Sequence, residues 1–202
     1  MFIQVIQGKV ADPERLQAQM DTWVRELQPG ATGWLGSTGG TTDDGTYVCT
    51  VRFDSEEAAR RNSDRPEQGA WWADTESCFA GPVTFIDCPD VSEWLQGGSD
   101  EAGFVQVMEG HTSDAARMRE LLERSAEEIH RLRPEIIGGT IALQPNGDYV
   151  ETVYFTDETQ AREHEGAEMP APLAEAMREE QEVMGTVTYL DLHHPWLVSA
   201  SR

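Results

Sequence analysis

Phe104-Val105-Gln106-Val107 repeats Phe2-Ile3-Gln4-Val5 at an offset of 102 residues. The echo continues along the second half. Gly110 answers Gly8, Asp114 answers Asp12, Tyr149-Val150 answers Tyr47-Val48, and Phe155 answers Phe53. Val187-Thr188-Tyr189-Leu190-Asp191 answers Val83-Thr84-Phe85-Ile86-Asp87 after two extra residues, and Trp196-Leu197 answers Trp94-Leu95 at the original offset. A period this long is a small domain rather than a solenoid unit. The chain therefore divides into residues 1–96 and 103–202, joined by the linker Gln96-Gly97-Gly98-Ser99-Asp100.

Each half alternates strand and helix signals in one order. Met1 to Gln7 is apolar on both pleat faces, which predicts a strand covered on both faces. Asp12-Pro13 opens a helix with Leu16, Met20, Trp23, Val24 and Leu27 at helical spacing, and Pro29-Gly30 ends it. Trp34 to Thr41 and Thr46 to Phe53 form a hairpin about Asp44-Gly45. A second helical region starts at Ser55 and breaks near Pro66, and Val83 to Cys88 is the last strand. The second half repeats this with a strand from Phe104 to Glu109 and a helix from about Ser113 to Leu132. The hairpin Ile136–Phe155 turns at Asn146-Gly147. A helical region over Asp157 to Val183 is interrupted at Pro170 and Pro172, and Thr186 to Leu192 is a strand. From His193 the chain reads as a tail. The order is βαββαβ twice, the split βαβ of a ferredoxin-like unit.

The formal charge of -22 divides evenly between the halves. An evenly acidic surface argues against nucleic acid and against anionic membranes. Cys49, Cys78 and Cys88 are odd in number and have no zinc or haem-attachment spacing. No signal peptide or long apolar run is seen, so the expectation is a cytoplasmic protein with buried free thiols.

A four-stranded sheet with two helices leaves one face open, and two such units in one chain can cover each other. Here the chain resembles the dimeric α/β-barrel superfamily, as a fused tandem repeat. The residues that carry the resemblance are the duplicated βαββαβ order and the pattern entering the second helix, Phe53 to Glu56 and Phe155 to Glu158. The nearest branch is the antibiotic-biosynthesis-monooxygenase-like group. The resemblance implies an α+β fold in which two ferredoxin-like repeats pack sheet to sheet as a pseudo-dimeric α/β barrel. It implies a monomer or weak homodimer, because the fused partner covers the sheet. It also implies binding, and oxygenation without metal or flavin, of a small flat apolar molecule. A deprotonated substrate then reduces dioxygen directly while the protein supplies a base, a dry pocket and orientation. The alternative is a non-catalytic ligand-binding or stress-related barrel.

Candidate residues follow from two places. Gln4 and Gln106 share a pleat face with Phe2, Ile6, Phe104 and Met108, and would put two amides into a barrel lumen if that face looks inward. The segment Asn62 to Trp72 is polar, carries adjacent tryptophans, and has a counterpart, His164 to Leu173, without tryptophan. Divergence at one segment of a duplicated chain points to divided labour. The resemblance carries Asn62, Trp71 and Trp72 over as ligand-binding types. Glu151, His164 and His111 are the candidate bases. Haem-binding relatives place a histidine on iron, for which His164 has the best position. With no ligand spacing among the histidines and cysteines, no cofactor or metal is expected.

Overall fold

The computed structural model describes residues 1–165 and 171–200. It forms two units, Met1–Pro89 with Trp196–Arg202, and Asp90–Pro195. In the first, β1 (Phe2–Lys9) leads to α1 (Pro13–Thr22). Asp12 caps α1 by accepting the Arg15 N–H, and Pro13 occupies its first turn. The helix widens into a π turn at Trp23–Leu27 and tightens into a 3₁₀ turn at Gln28–Gly30. The hairpin β2 (Trp34–Thr41) and β3 (Thr46–Phe53) follows. Its turn is closed by Gly45 at φ +79°, a left-handed conformation that glycine adopts without strain. Then come α2 (Glu56–Ser63), α3 (Pro66–Glu76) and β4 (Thr84–Cys88).

The second unit begins one strand before the second repeat. β5 (Asp90–Leu95) precedes β6 (Phe104–His111), α4 (Ala115–Leu132), β7 (Ile136–Leu143), β8 (Asp148–Phe155), α5 (Glu158–Glu165), α6 (Ala171–Met184) and β9 (Thr188–Leu192). β10 (Trp196–Ser199) ends the described chain. Pro172 falls in the first turn of α6, where a missing N–H costs nothing. The interruption expected at Pro170 lies outside the described residues.

The two sheets have matching orders, β10-β2-β3-β1-β4 and β5-β7-β8-β6-β9, and every pairing is antiparallel. Even the irregularity recurs, with a bulge between Trp34 and Gly36 and another between Ile136 and Gly138. The fold is α+β, two ferredoxin-like repeats of the βαββαβ order. The fifth strand of each sheet departs from the sequence reading. β5 follows the first repeat yet pairs with β7, and β10 follows the second repeat yet pairs with β2. The Trp94-Leu95 and Trp196-Leu197 echo marks a strand in each case, the second of them in the segment read as a tail.

Helices cover one face of each sheet. In unit 1, Phe2 and Phe53 pack with Trp23, Leu27 and Ala58, while Tyr47 and Cys49 pack with Leu16, Met20 and Phe79. In unit 2, Phe104, Tyr149, Val153 and Phe155 pack with Met118, Leu122 and Ile129 of α4. The face bearing Phe2, Gln4 and Ile6 is therefore the helix-covered face. The expectation that it looks into a lumen is corrected on that ground. Ile3, Val5 and Val48, on the opposite face, are also buried.

Candidate ligand cavity

Between the sheet and the helices of unit 1 lies a cavity of about 390 Å³. Its floor is the pleat face of Gln4, Ile6, Tyr47, Cys49, Val51 and Phe53. Residues of one strand at alternate positions point the same way, which brings these side chains together. Its wall is made by Met20 and Trp23 at the α1 to π junction, Asn62 and Ser63 at the end of α2, and Gln68, Trp71 and Trp72 on α3. Trp196 on β10 completes it.

The tryptophans are fixed by polar bonds at their edges. Trp71 Nε1 donates to the Gln19 carbonyl at 2.9 Å, and Trp23 Nε1 donates to Gln68 Oε1 at 2.8 Å. The rings contact each other in series. Trp23 and Trp71 are 6.5 Å apart, Trp71 and Trp72 are 6.0 Å apart, and Trp72 meets Phe85 edge-on at 4.9 Å. Such tilted and edge-on pairs suit the ring quadrupoles. A π turn in this wall is a place where helices commonly serve function.

Three amides line the cavity, and each is oriented by one strong partner. Gln4 Nε2 donates to Asp87 Oδ1 at 2.8 Å, which leaves its carbonyl oxygen open. Asn62 Oδ1 accepts from Arg65 Nη1 at 2.9 Å, and Gln68 Oε1 accepts from Trp23. A carboxylate only accepts and a guanidinium only donates, so these partners fix which end of the amide is which. The cavity thus offers an acceptor from its floor and N–H donors from its wall.

Among the described residues no carboxylate, imidazole, ammonium or guanidinium lines the space. Its two weak acids stay neutral. Burial raises Tyr47 well above the usual phenol range, and burial pushes the Cys49 thiol up to about 11. The site is apolar, aromatic and uncharged, with hydrogen-bonding groups at fixed points.

Gln4, Asn62, Trp71 and Trp72 share this cavity. The other candidates lie in unit 2. Gln106 donates to Asp191 at 2.8 Å, as Gln4 does to Asp87, but Asp191 is also bound by Arg162, whose guanidinium sits 4.9 Å over the Phe104 ring. His193 stacks on the same ring. Glu151 is buried on β8 with Glu180 of α6 beside it. Burial first, and then the Glu180 charge, push Glu151 up to about 8, while burial pushes Glu180 up to about 7. The Trp94 indole eases the Glu151 rise without making a full hydrogen bond. His164 Nδ1 lies 3.0 Å from Glu135, a buried carboxylate that Arg133 also holds. His111 is exposed at the end of β6 and pairs with Asp148 at 2.9 Å. None of these three candidate bases lines the unit 1 cavity. Among the described residues no cluster of three or more His, Cys, Asp or Glu side chains is placed to hold a metal ion. No described helix is long and apolar enough to cross a membrane.

Trp23, Trp196, Tyr47 and Gln68 are cavity residues that the sequence reading did not single out. Trp23 sits on an ordinary helical stripe, and Trp196 in a segment read as a tail. The one available signal for Trp196 was its echo of Trp94.

No protein-family model matches the chain, and no curated protein matches it. Solved structures do. A candidate monooxygenase from Fusobacterium nucleatum superposes with a TM-score of 0.74 at 10% identity, covering 95% of this chain and 90% of that one. A candidate monooxygenase from Lactobacillus acidophilus gives 0.73 at 11% identity, with 98% and 95% covered. An anthrone oxidase-like protein gives 0.65 at 9% identity, with 100% and 96% covered. The likeness runs through both repeats. The chain shares the tandem ferredoxin-like fold of these structures.

Proposed function

We propose that the unit 1 cavity binds a small, flat, mostly apolar molecule and oxygenates it without metal or flavin. The observation that carries this reading is an uncharged cavity walled by tryptophans, with amide groups presented at fixed points. Aromatic platforms suit a planar ligand, and a few polar groups set its orientation. The chemistry that fits such a site is oxidation of an activated ring carbon by dioxygen. A CH2 flanked by rings becomes C=O, one oxygen atom enters the carbon and the other leaves as water. The four electrons that reduce dioxygen come from the substrate, so no outside reductant is needed. The carbanion or phenolate forms first. Since the lining holds no base, the site's part is to take up the ionised form with N–H donors and exclude water.

The same absence of a lining base favours a second reading, a barrel that binds such molecules without turning them over. One experiment separates the two. Anthrone is flat, tricyclic and carries a CH2 between two rings. Anaerobic titration, followed by tryptophan fluorescence, measures binding. Oxygen uptake in air measures turnover, with one dioxygen expected per anthraquinone formed. Binding with oxygen uptake above the protein-free rate supports the oxygenase, and binding without it supports the non-catalytic barrel. No binding removes both for this class of ligand.

A further inference from the structure

We infer that Arg65 is a positioning residue, which holds the Asn62 amide so that its NH2 faces the cavity. The inference rests on the ligand reading of that cavity and adds how its polar specificity is set. Asn62 is about nine-tenths buried and lines the space. Its Oδ1 is taken by Arg65 Nη1 at 2.9 Å. Among the described residues no acceptor meets its Nδ2, and that atom keeps some exposure. Without Arg65 the amide is free to turn over and present its oxygen instead, because its two ends have almost the same shape.

The guanidinium is itself held from three sides. Nη1 also donates to the Leu27 carbonyl at 3.0 Å, and Nε donates to Glu67 at 2.9 Å. Its third neighbour is a gap in the sequence's side chains. A Cβ on Gly30 would lie 2.6 Å from Arg65 Nη2 and 3.0 Å from Cζ. Gly30 thus leaves the room that the guanidinium fills. Leu27 and Gly30 lie on the turns that follow α1, and Asn62 ends α2, so one side chain ties two walls of the cavity. The arrangement is particular to the first repeat. At Asn62's counterpart stands His164, whose imidazole faces the buried Glu135.

The consequence is selection for a ligand with an acceptor oxygen, a carbonyl or a phenolate, toward the α2 wall. The test uses two planar probes of one shape, 9-fluorenone with a carbonyl and fluorene without. Equilibrium affinities are measured by tryptophan fluorescence for the wild type, Arg65→Met, Gly30→Ala, Asn62→Ala and the Arg65→Met/Asn62→Ala double variant. Arg65→Met and Gly30→Ala are expected to weaken fluorenone binding about three- to tenfold, the size of one neutral hydrogen bond, and to leave fluorene unchanged. In the Asn62→Ala background, Arg65→Met should have no further effect. Unchanged fluorenone affinity in Arg65→Met overturns the inference while the ligand reading stands. Equal loss for both probes also overturns it, since Arg65 would then be only scaffold. If Arg65→Met does not fold, Gly30→Ala, which keeps the guanidinium and displaces it, decides by the same criterion. If the wild type binds neither probe, the ligand reading falls and this inference falls with it.

Discussion

The space between sheet and helices holds a cavity in unit 1, while the matching face of unit 2 carries an ion pair and a stacked ring, although the two sheets have one topology. The contrast comes from a few positions. Trp23 and Cys49 in the first repeat stand where the second has Ser125 and Glu151. Arg60 lies on the surface and pairs with Glu56 at 3.4 Å. Its counterpart Arg162 turns inward, to Asp191 at 2.5 Å and onto the Phe104 ring. In unit 2 an ion pair and a stacked ring occupy the region over Phe104, and a pair of carboxyls lies under α6. In unit 1 the corresponding volume is left to tryptophan faces and amides. Duplicated backbones can therefore diverge from scaffold to candidate site by exchanging side chains on one face, with register and bulges unchanged.

The sharpest way to break this comparison is at Trp71. Its ring joins both apolar clusters of unit 1, and its N–H holds the Gln19 carbonyl. Trp71→Ala should cost about 3 kcal/mol of stability by chemical denaturation, toward the low end for a large aromatic because the ring is only half-buried. Trp72 packs mainly on Phe79 and on Phe85, which is 45% exposed. Trp72→Ala should cost about 1 kcal/mol and chiefly weaken probe binding, since edge and stacking contacts of this kind are worth about 0.5–1.5 kcal/mol. Equal destabilisation by both variants would mean that the wall is packing alone.

How much of this was legible is itself uneven. The repeat, both hairpins and the helix starts could be read because they rest on local chemistry: a cap at Asp12, glycine at Gly45 and Gly147, and alternation along β3. The exchange of β5 and β10 between units could not be read, because strand pairing depends on partners far away in sequence. The role of Gln4 was half legible. Its equivalence with Gln106 follows from the repeat, but β1 is apolar on both faces, so its pattern does not say which face lies under helices. The Asn62 to Trp72 segment stood out through divergence between the repeats. Arg65, Gly30 and Gln68 did not stand out, because each matters through one hydrogen bond or one missing Cβ.

In unit 2 the comparison is sharpened by pH. Glu151 is fully buried and has a folded-state pKa near 8, against an ordinary value of 4.5. The groups facing it are Glu180, the Trp94 indole and the Tyr149 phenol, which feels its charge. Below pH 4.5 the carboxyl is protonated in both folded and unfolded chains and contributes no pH dependence. Between about 4.5 and 8 the unfolded chain has lost the proton and the folded one keeps it, so stability falls as pH rises through that window. Glu151→Gln removes the penalty and keeps the shape. The variant should gain on the order of 2 kcal/mol over the wild type at pH 8.5, with the gap closing toward pH 5. Cys49, at the same repeat position in unit 1, has no such window in this range, so Cys49→Ser should show no comparable change between these pH values. A gap that does not depend on pH would show that Glu151 keeps its charge state.

The smallest expected effect tests the two arginines at one repeat position. Arg162 is about a third exposed, bridges Glu158, Glu165 and Asp191, and covers Phe104. Removing it leaves Asp191 with the Gln106 amide as its side-chain donor among the described residues and uncovers an aromatic face. The cation over the ring accounts for about 0.5–1 kcal/mol, and the partly buried ion pair adds a similar amount after screening. Arg162→Ala should therefore cost about 1–2 kcal/mol by denaturation. Arg60 is two-thirds exposed and, among the described residues, its guanidinium pairs only with Glu56, one turn earlier on α2. A solvated pair at that spacing is worth about 0.3–0.5 kcal/mol, and alanine's better helix propensity offsets part of the loss. Arg60→Ala should stay within about 0.5 kcal/mol of the wild type, and its remaining effect should vanish in 1 M salt. Salt should leave most of the Arg162 effect in place, because contact with the ring is short-range. If the two substitutions cost the same and respond alike to salt, the inward turn of Arg162 does not contribute to packing over Phe104, and the contrast with the unit 1 cavity has to rest on Trp23, Ser125, Cys49 and Glu151 instead.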